Sequence, residues 1–308
     1  MSLHTTLRRA PLVAASWLVL AGCGAAEPAP DPLVRHTVSI EDHPLAVWQK
    51  GTAGSSVVLL VHGRTWSTVP DFDLQVEGED LSLMDGLIEA GFVTYGIDLR
   101  GYGETPRDPS GWNTPSRAAE DVAAVLAWIR ARHPDRPVHL FGWSLGSMVS
   151  QLTAQRYPDR VDRLVFFGYP FRPGSERPFE EPEGDPARAA TTAEAAASDF
   201  ITPGSISEAA VAAYVEAALS ADPVRTDWTA GHEWNELAPE AVAVPTLILQ
   251  GEHDPLSPSA AQSALFEGLG TQDKAWVVVP GGDHAAFLET PRSYFIGTMA
   301  AFLDAGAS

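Results

Sequence analysis

Residues 142–146 read Gly142-Trp143-Ser144-Leu145-Gly146, between an apolar run over 138–141 and a helix-like stretch that continues through Gln155. A serine flanked by glycines, entered by a strand and left by a helix, requires a turn too tight for side chains on its flanks. Such a turn holds the serine hydroxyl exposed above the end of its strand. The chain therefore has to build a sheet around this point. If the hydroxyl is to react, the chain must also supply a base, an acid and donors for an oxyanion.

The sheet is legible in the apolar runs. Residues 57–61 form a continuous apolar segment, the pattern of a strand buried on both faces of a parallel sheet. Strands are also expected at 92–99, 138–141, 164–167, 246–249 and 276–279. From about His36 the chain alternates strand and helix, with helices expected at 81–90, 115–132 and 294–303. Gly91 stands where the first of these should end. This alternation predicts an α/β fold: a mostly parallel, doubly covered sheet with its reactive groups beyond the carboxyl ends of the strands. Residues 170–240 break the rhythm. They begin rich in Pro, Gly and Glu and continue through alanine-rich stretches expected to be helical at 187–197 and 207–219. Too long for a plain connection, they are expected to form a helical cap inserted into a core over 36–169 and 241–308.

The N-terminus reads as a processing signal. Arg8 and Arg9 precede a short apolar stretch over 11–22, and the segment closes on Leu20-Ala21-Gly22-Cys23. The stretch is too short to span a bilayer and fits the apolar region of a signal peptide. Its end resembles the lipobox of bacterial lipoproteins, which implies a signal peptide over 1–22 and lipidation of Cys23. Cys23 is the only cysteine. Residues 23–35 would then be a Pro/Ala-rich tether, and the protein an exported one, held by its lipid at a membrane of the bacterial cell envelope. With 40 acidic against 20 basic residues, the surface disfavours a nucleic-acid partner. No zinc-type Cys/His spacing or phosphate-binding loop is present, so neither metal nor cofactor is expected. The expected partner is a small-molecule substrate.

Two further loops carry candidates for the chemistry. Asp254, in Gly251-Glu252-His253-Asp254, follows the strand at 246–249, and His284, in Gly282-Asp283-His284, follows the strand at 276–279. An imidazole can take the serine proton, and a carboxylate can orient the imidazole. Glu252 is a rival acid. Asp283 is too near His284 in sequence to orient its ring. His253 lies before the last strand and His232 within the insertion.

Together with His62-Gly63-Arg64 and Asp98-Leu99-Arg100-Gly101-Tyr102-Gly103, these motifs resemble the α/β-hydrolase superfamily over residues 36–305. The resemblance implies Ser144 as nucleophile, Asp254 as acid and His284 as base, in the superfamily's chain order. It also implies that the backbone N–H groups of Arg64 and Leu145 form the oxyanion hole. Related dehalogenases and epoxide hydrolases carry aspartate in place of Ser144, which argues against both reactions. Where some relatives place the acid, after residue 167, this chain has Gly168-Tyr169-Pro170. The expected activity is hydrolysis of a carboxylic ester through an acyl-enzyme. The alternatives are an aminopeptidase resembling proline iminopeptidases, a cofactor-free haloperoxidase-like enzyme and a non-catalytic lipoprotein binding module. An aminopeptidase would use acids of the insertion such as Glu180, Glu181, Glu183, Glu216, Glu233 or Glu236 to hold an amine. Trp66, Trp112, Trp143, Trp228, Trp234 and Phe287 could line an apolar pocket. The Arg64 side chain could bind substrate, or pair with Asp71 or Asp73.

Overall fold

The computed structural model describes residues 31–170, 172–182 and 184–305. The proposed leader, Cys23 and Glu183 lie outside them. Among the described residues, ten strands and eight α-helices follow in chain order. They are β1 Val34–Ile40, β2 His43–Lys50, β3 Ser56–Val61, α1 Thr68–Phe72, α2 Leu83–Glu89, β4 Phe92–Ile97, β5 Trp112–Asn113 and α3 Pro115–Arg132. After these come β6 Val138–Trp143, α4 Leu145–Arg156, β7 Leu164–Phe167, α5 Ala193–Ala197, α6 Glu208–Ala221 and β8 Asp227–Trp228. The chain then closes through β9 Thr246–Gly251, α7 Ser259–Gly268, β10 Lys274–Val279 and α8 Arg292–Asp304.

Eight of the strands form one sheet in the order β1-β2-β4-β3-β6-β7-β9-β10. From β4 to β10 every pairing is parallel. Side chains of β3 alternate between two cores: Val57, Leu59 and Val61 face one, and Val58 and Leu60 the other. The first core is closed by Val122, Leu126 and Ile129 of α3 with Val149 and Leu152 of α4. The second is closed by Met84 and Leu87 of α2 and Phe295 and Met299 of α8. Burial on both faces explains why the strands read as unbroken apolar runs. The mostly parallel, doubly covered sheet is as expected.

Two local expectations need correction. The strand–helix rhythm does not begin at His36, because β1 and β2 form an antiparallel hairpin. Its two turn residues, Glu41 and Asp42, both have positive φ (48° and 66°), which matches the twist of paired strands. The alanine-rich stretch at 187–197 is helical only from Ala193. Ala190 pairs with Val224, and the Thr191 N–H donates to the Pro223 carbonyl, which hold the chain extended up to the Thr192 cap. Tertiary pairing outweighs alanine's helix propensity there. The 207–219 stretch forms α6, capped by the Ser207 hydroxyl. The parallel pair β5 and β8 ties the end of the insertion to the loop before α3. Among the described residues, no helix is long and apolar enough to cross a membrane.

Candidate active site

The strand β6 ends at Trp143, and α4 begins at Leu145, so Ser144 alone makes the turn. Its backbone sits at φ 53° and ψ −118°, a conformation that L-residues rarely hold without support. The support is local. The Ser144 N–H donates to the Phe167 carbonyl at 2.9 Å, and the Ser147 N–H donates to the Ser144 carbonyl at 3.0 Å. A Cβ at Gly142 would strike the backbone of Gly146, and one at Gly146 would strike the Val61 and His62 carbonyls. Both glycines are required by contact as well as by the turn.

His284 and Asp254 come together from the loops after β10 and β9. The imidazole Nδ1 lies 2.9 Å from Asp254 Oδ2, and both side chains are buried. Burial pushes the Asp254 carboxyl up. The hydrogen bond and charge of His284 outweigh it, with help from the Ser257 hydroxyl (2.6 Å) and the Leu256 N–H (2.8 Å). The carboxyl is held below its usual range and remains an anion at neutral pH. The rivals point elsewhere. Glu252 accepts the Gly281 N–H at the surface, while Asp283 accepts the Ile201 and Thr202 N–H groups. His253 is exposed, and the His232 ring packs on Phe179.

The Trp143 indole N–H donates to the His284 carbonyl at 2.7 Å, coupling the serine's turn to the histidine's loop. Gly168, at φ 59°, lies against the imidazole. A Cβ there would stand 2.8 Å from Cε1 and 2.9 Å from Nδ1. The position where some relatives carry the acid is occupied by the histidine's own wall. No hydrogen bond joins Ser144 Oγ to His284, although the two side chains border one cavity. Such bonds are commonly long in unliganded sites and tighten with substrate.

The loop after β3 carries His62-Gly63-Arg64. His62 is fully buried, and burial drives its pKa down to about 4, so it is neutral. Its Nδ1 lies 2.8 Å from the Gly63 carbonyl, and its Nε2 accepts the Leu99 N–H at 3.1 Å. The Tyr102 hydroxyl donates to the Arg64 carbonyl. Thus the motif Asp98–Gly103 acts as a clamp on the His62–Arg64 loop. Among the described residues, the N–H groups of Arg64 and Leu145 have no acceptor. The Arg64 side chain pairs with neither Asp71 nor Asp73: Tyr214 meets Asp71, and Lys50 meets Asp73.

The cavity at Ser144 has two parts. The wider, about 340 Å³, is lined by Arg64, Leu145, Met148, Pro170, Trp228 and Trp234, with Arg177 reaching it from the insertion. The narrower, about 230 Å³, is lined by Gly63, Trp66, Trp143, Leu256, His284 and Asp199. Ser144 and Arg64 border both. Trp112 lies on an adjoining cavity that carries Glu180 and Glu181 and shares Trp228, Thr229 and Gly231 with the wider part, and Phe287 is fully buried among Phe72, Phe167 and Phe295. Glu233 and Glu236 are engaged by the Ser116 N–H and by Arg156.

The sequence reading missed Asp199. Its Oδ2 accepts the Trp66 indole N–H at 2.9 Å and lies 3.3 Å from the Tyr214 hydroxyl. Burial pushes its pKa up to about 6, although the His284 charge pulls the other way. Behind it, burial and the Asp199 charge raise the Asp71 carboxyl well above its ordinary value. Only a single aspartate in a capped, alanine-rich segment marked the position.

The geometry has known parallels. The family model described as serine aminopeptidase, S33, matches residues 55–291. Among curated proteins, the chain is 29% identical over 261 residues to the biotin biosynthesis bifunctional protein BioHC of Cellvibrio japonicus. That match covers 77% of this chain and 45% of the relative. It is 32% identical over 124 residues to the pimeloyl-[acyl-carrier protein] methyl ester esterase of Edwardsiella ictaluri, covering 38% of each chain. The chain thus spans less than half the length of these curated relatives. A thermophilic esterase from Thermogutta terrifontis superposes with a TM-score of 0.59 at 22% identity, over 88% of this chain and 98% of that one. The likeness shows the α/β-hydrolase fold.

Proposed function

The chain belongs to the serine aminopeptidase S33 family of α/β-hydrolases, and from that premise we propose that it is a serine hydrolase of carboxylic esters. Ser144 attacks the acyl carbon while His284 takes its proton, and the Asp254 carboxylate stabilises the imidazolium. The N–H groups of Arg64 and Leu145 receive the oxyanion, where losing one donor typically costs about 3–4 kcal/mol of barrier. His284 then protonates the departing alcohol, and water releases the acyl group by the same route. The observation that carries this reading is the strained Ser144, facing a cavity shared with an imidazole already bonded to a buried carboxylate.

The choice of ester over peptide rests on the wider cavity, which has two arginines and no acidic side chain among its lining residues. A second reading, hydrolysis of an amide bearing a free amine, is favoured by Asp199 beside His284 in the narrower part. The open cavity between Ser144 and His284 speaks against a binding module. We further propose that the protein is exported and lipid-anchored through Cys23, on the strength of Arg8, Arg9 and Leu20-Ala21-Gly22-Cys23. A fluorophosphonate probe is expected to label the wild type but not Ser144→Ala, and p-nitrophenyl butyrate hydrolysis to be lost with the label. Equal labelling of the two proteins refutes the nucleophile. Faster turnover of proline arylamides than of the ester would favour the second reading.

A further inference from the structure

Arg64 and Arg177 face the same wider cavity from opposite sources, one from the core loop after β3 and one from the insertion. Both backbones are fixed. The Arg177 N–H donates to Asn235 Oδ1, and Asn235 Nδ2 returns a bond to the Arg177 carbonyl, each at 2.8 Å. The Tyr102 hydroxyl holds the Arg64 carbonyl. Eight of the sixteen described arginines make no ion pair, and of these eight Arg64 and Arg177 line this cavity. The planar fork of arginine matches the oxygens of carboxylates and phosphates.

The two parts of the cavity have different tasks. His284 must hand its proton to the leaving group, so the leaving group lies in the narrower part, beside the imidazole. The acyl group then extends into the wider part, over Leu145, Met148, Trp228 and Trp234 and toward the arginines. We propose that the preferred substrate carries an anionic group, a carboxylate or a phosphate, on the acyl side of the scissile bond, held by Arg64 and Arg177. This proposal rests on the Ser144 hydrolase reading.

The test compares mono-p-nitrophenyl adipate with p-nitrophenyl hexanoate, esters of similar length that differ in the terminal charge. In the wild type, kcat/KM for the anionic ester is expected to exceed that for the neutral one by about tenfold at low salt, and the advantage to shrink in high salt. Arg177→Gln should lower the ratio several-fold and Arg177→Glu should invert it, while Arg172→Gln, at an exposed position outside the cavity, should leave it unchanged. Because the ratio is read within each protein, partial loss of folding cancels. Competitive inhibition by adipate and by butyl phosphate identifies which anion is preferred. A wild-type ratio at or below one, or an unchanged ratio in both Arg177 variants, overturns the proposal while leaving the hydrolase reading intact. Failure of both esters and of fluorophosphonate labelling overturns the two together.

Discussion

Gly168→Ala should cripple catalysis without replacing any of the residues proposed to react. The added Cβ would stand 2.8 Å from His284 Cε1 and 2.9 Å from Nδ1, with Trp143 Cδ1 at 3.4 Å. Carbon contacts settle near 3.5–4.0 Å, so the ring must retreat by about 0.7 Å. It cannot do so and also keep its 2.9 Å bond to Asp254. A misplacement near 1 Å costs on the order of 100-fold in rate, so a fall of about 30- to 100-fold in kcat/KM is expected. Alanine at φ 59° adds a backbone cost of about 1–2 kcal/mol. Gly174→Ala separates the two effects, since Gly174 has φ 79° but nothing within 4 Å of its added Cβ. Steady-state hydrolysis of p-nitrophenyl butyrate and the fluorophosphonate labelling rate would be measured beside the melting temperature. If Gly168→Ala works and labels like Gly174→Ala, the wall argument is wrong.

Glu289 gives a pH signature. Burial and the neighbouring Asp283 charge raise its pKa from 4.5 to about 7, so the folded state holds a proton that the unfolded chain releases earlier. The associated stability is complete below pH 4.5 and is lost as pH rises through about 7. Buried His62 and His139 act oppositely but only below about 6.5, so melting should fall between pH 6.5 and 8, with a flatter slope in Glu289→Gln by differential scanning fluorimetry. An unchanged slope refutes the assignment. For the anchor, Cys23→Ser is expected to move the full-length protein from the detergent phase to the aqueous phase in Triton X-114 partition; retention of the variant in detergent would refute lipidation.

What the sequence disclosed was set by local constraints. The turn at Ser144 announces itself because only glycine fits at 142 and 146, and the core strands because burial on both faces leaves unbroken apolar runs. The meeting of Asp254 and His284 was legible from strand context and order. Asp199 and Arg177 were not, because their place depends on how 170–240 folds back. Trp66 and Asp199, for instance, are 133 residues apart in sequence. The same long-range pairing undid the helix expected at 187–197, where Val224 and Pro223 hold the chain extended.

The bonds that tie the insertion to the core are unevenly spread. Asp283, next to His284, accepts the N–H groups of Ile201 and Thr202, and Glu289 takes the Ser205 hydroxyl. Asp222 accepts the N–H groups of Ser67 and Gly103. The stretch before α5 is mostly exposed, with Phe179 at 67%. A mutational library confined to 173–186 can therefore redraw the mouth of the site while the histidine keeps its place. Insertions or deletions within 199–206 would shift the loop that carries His284. The insertion thus holds one stretch that selection can rewrite around Arg177 and another whose length is tied to the loop carrying His284.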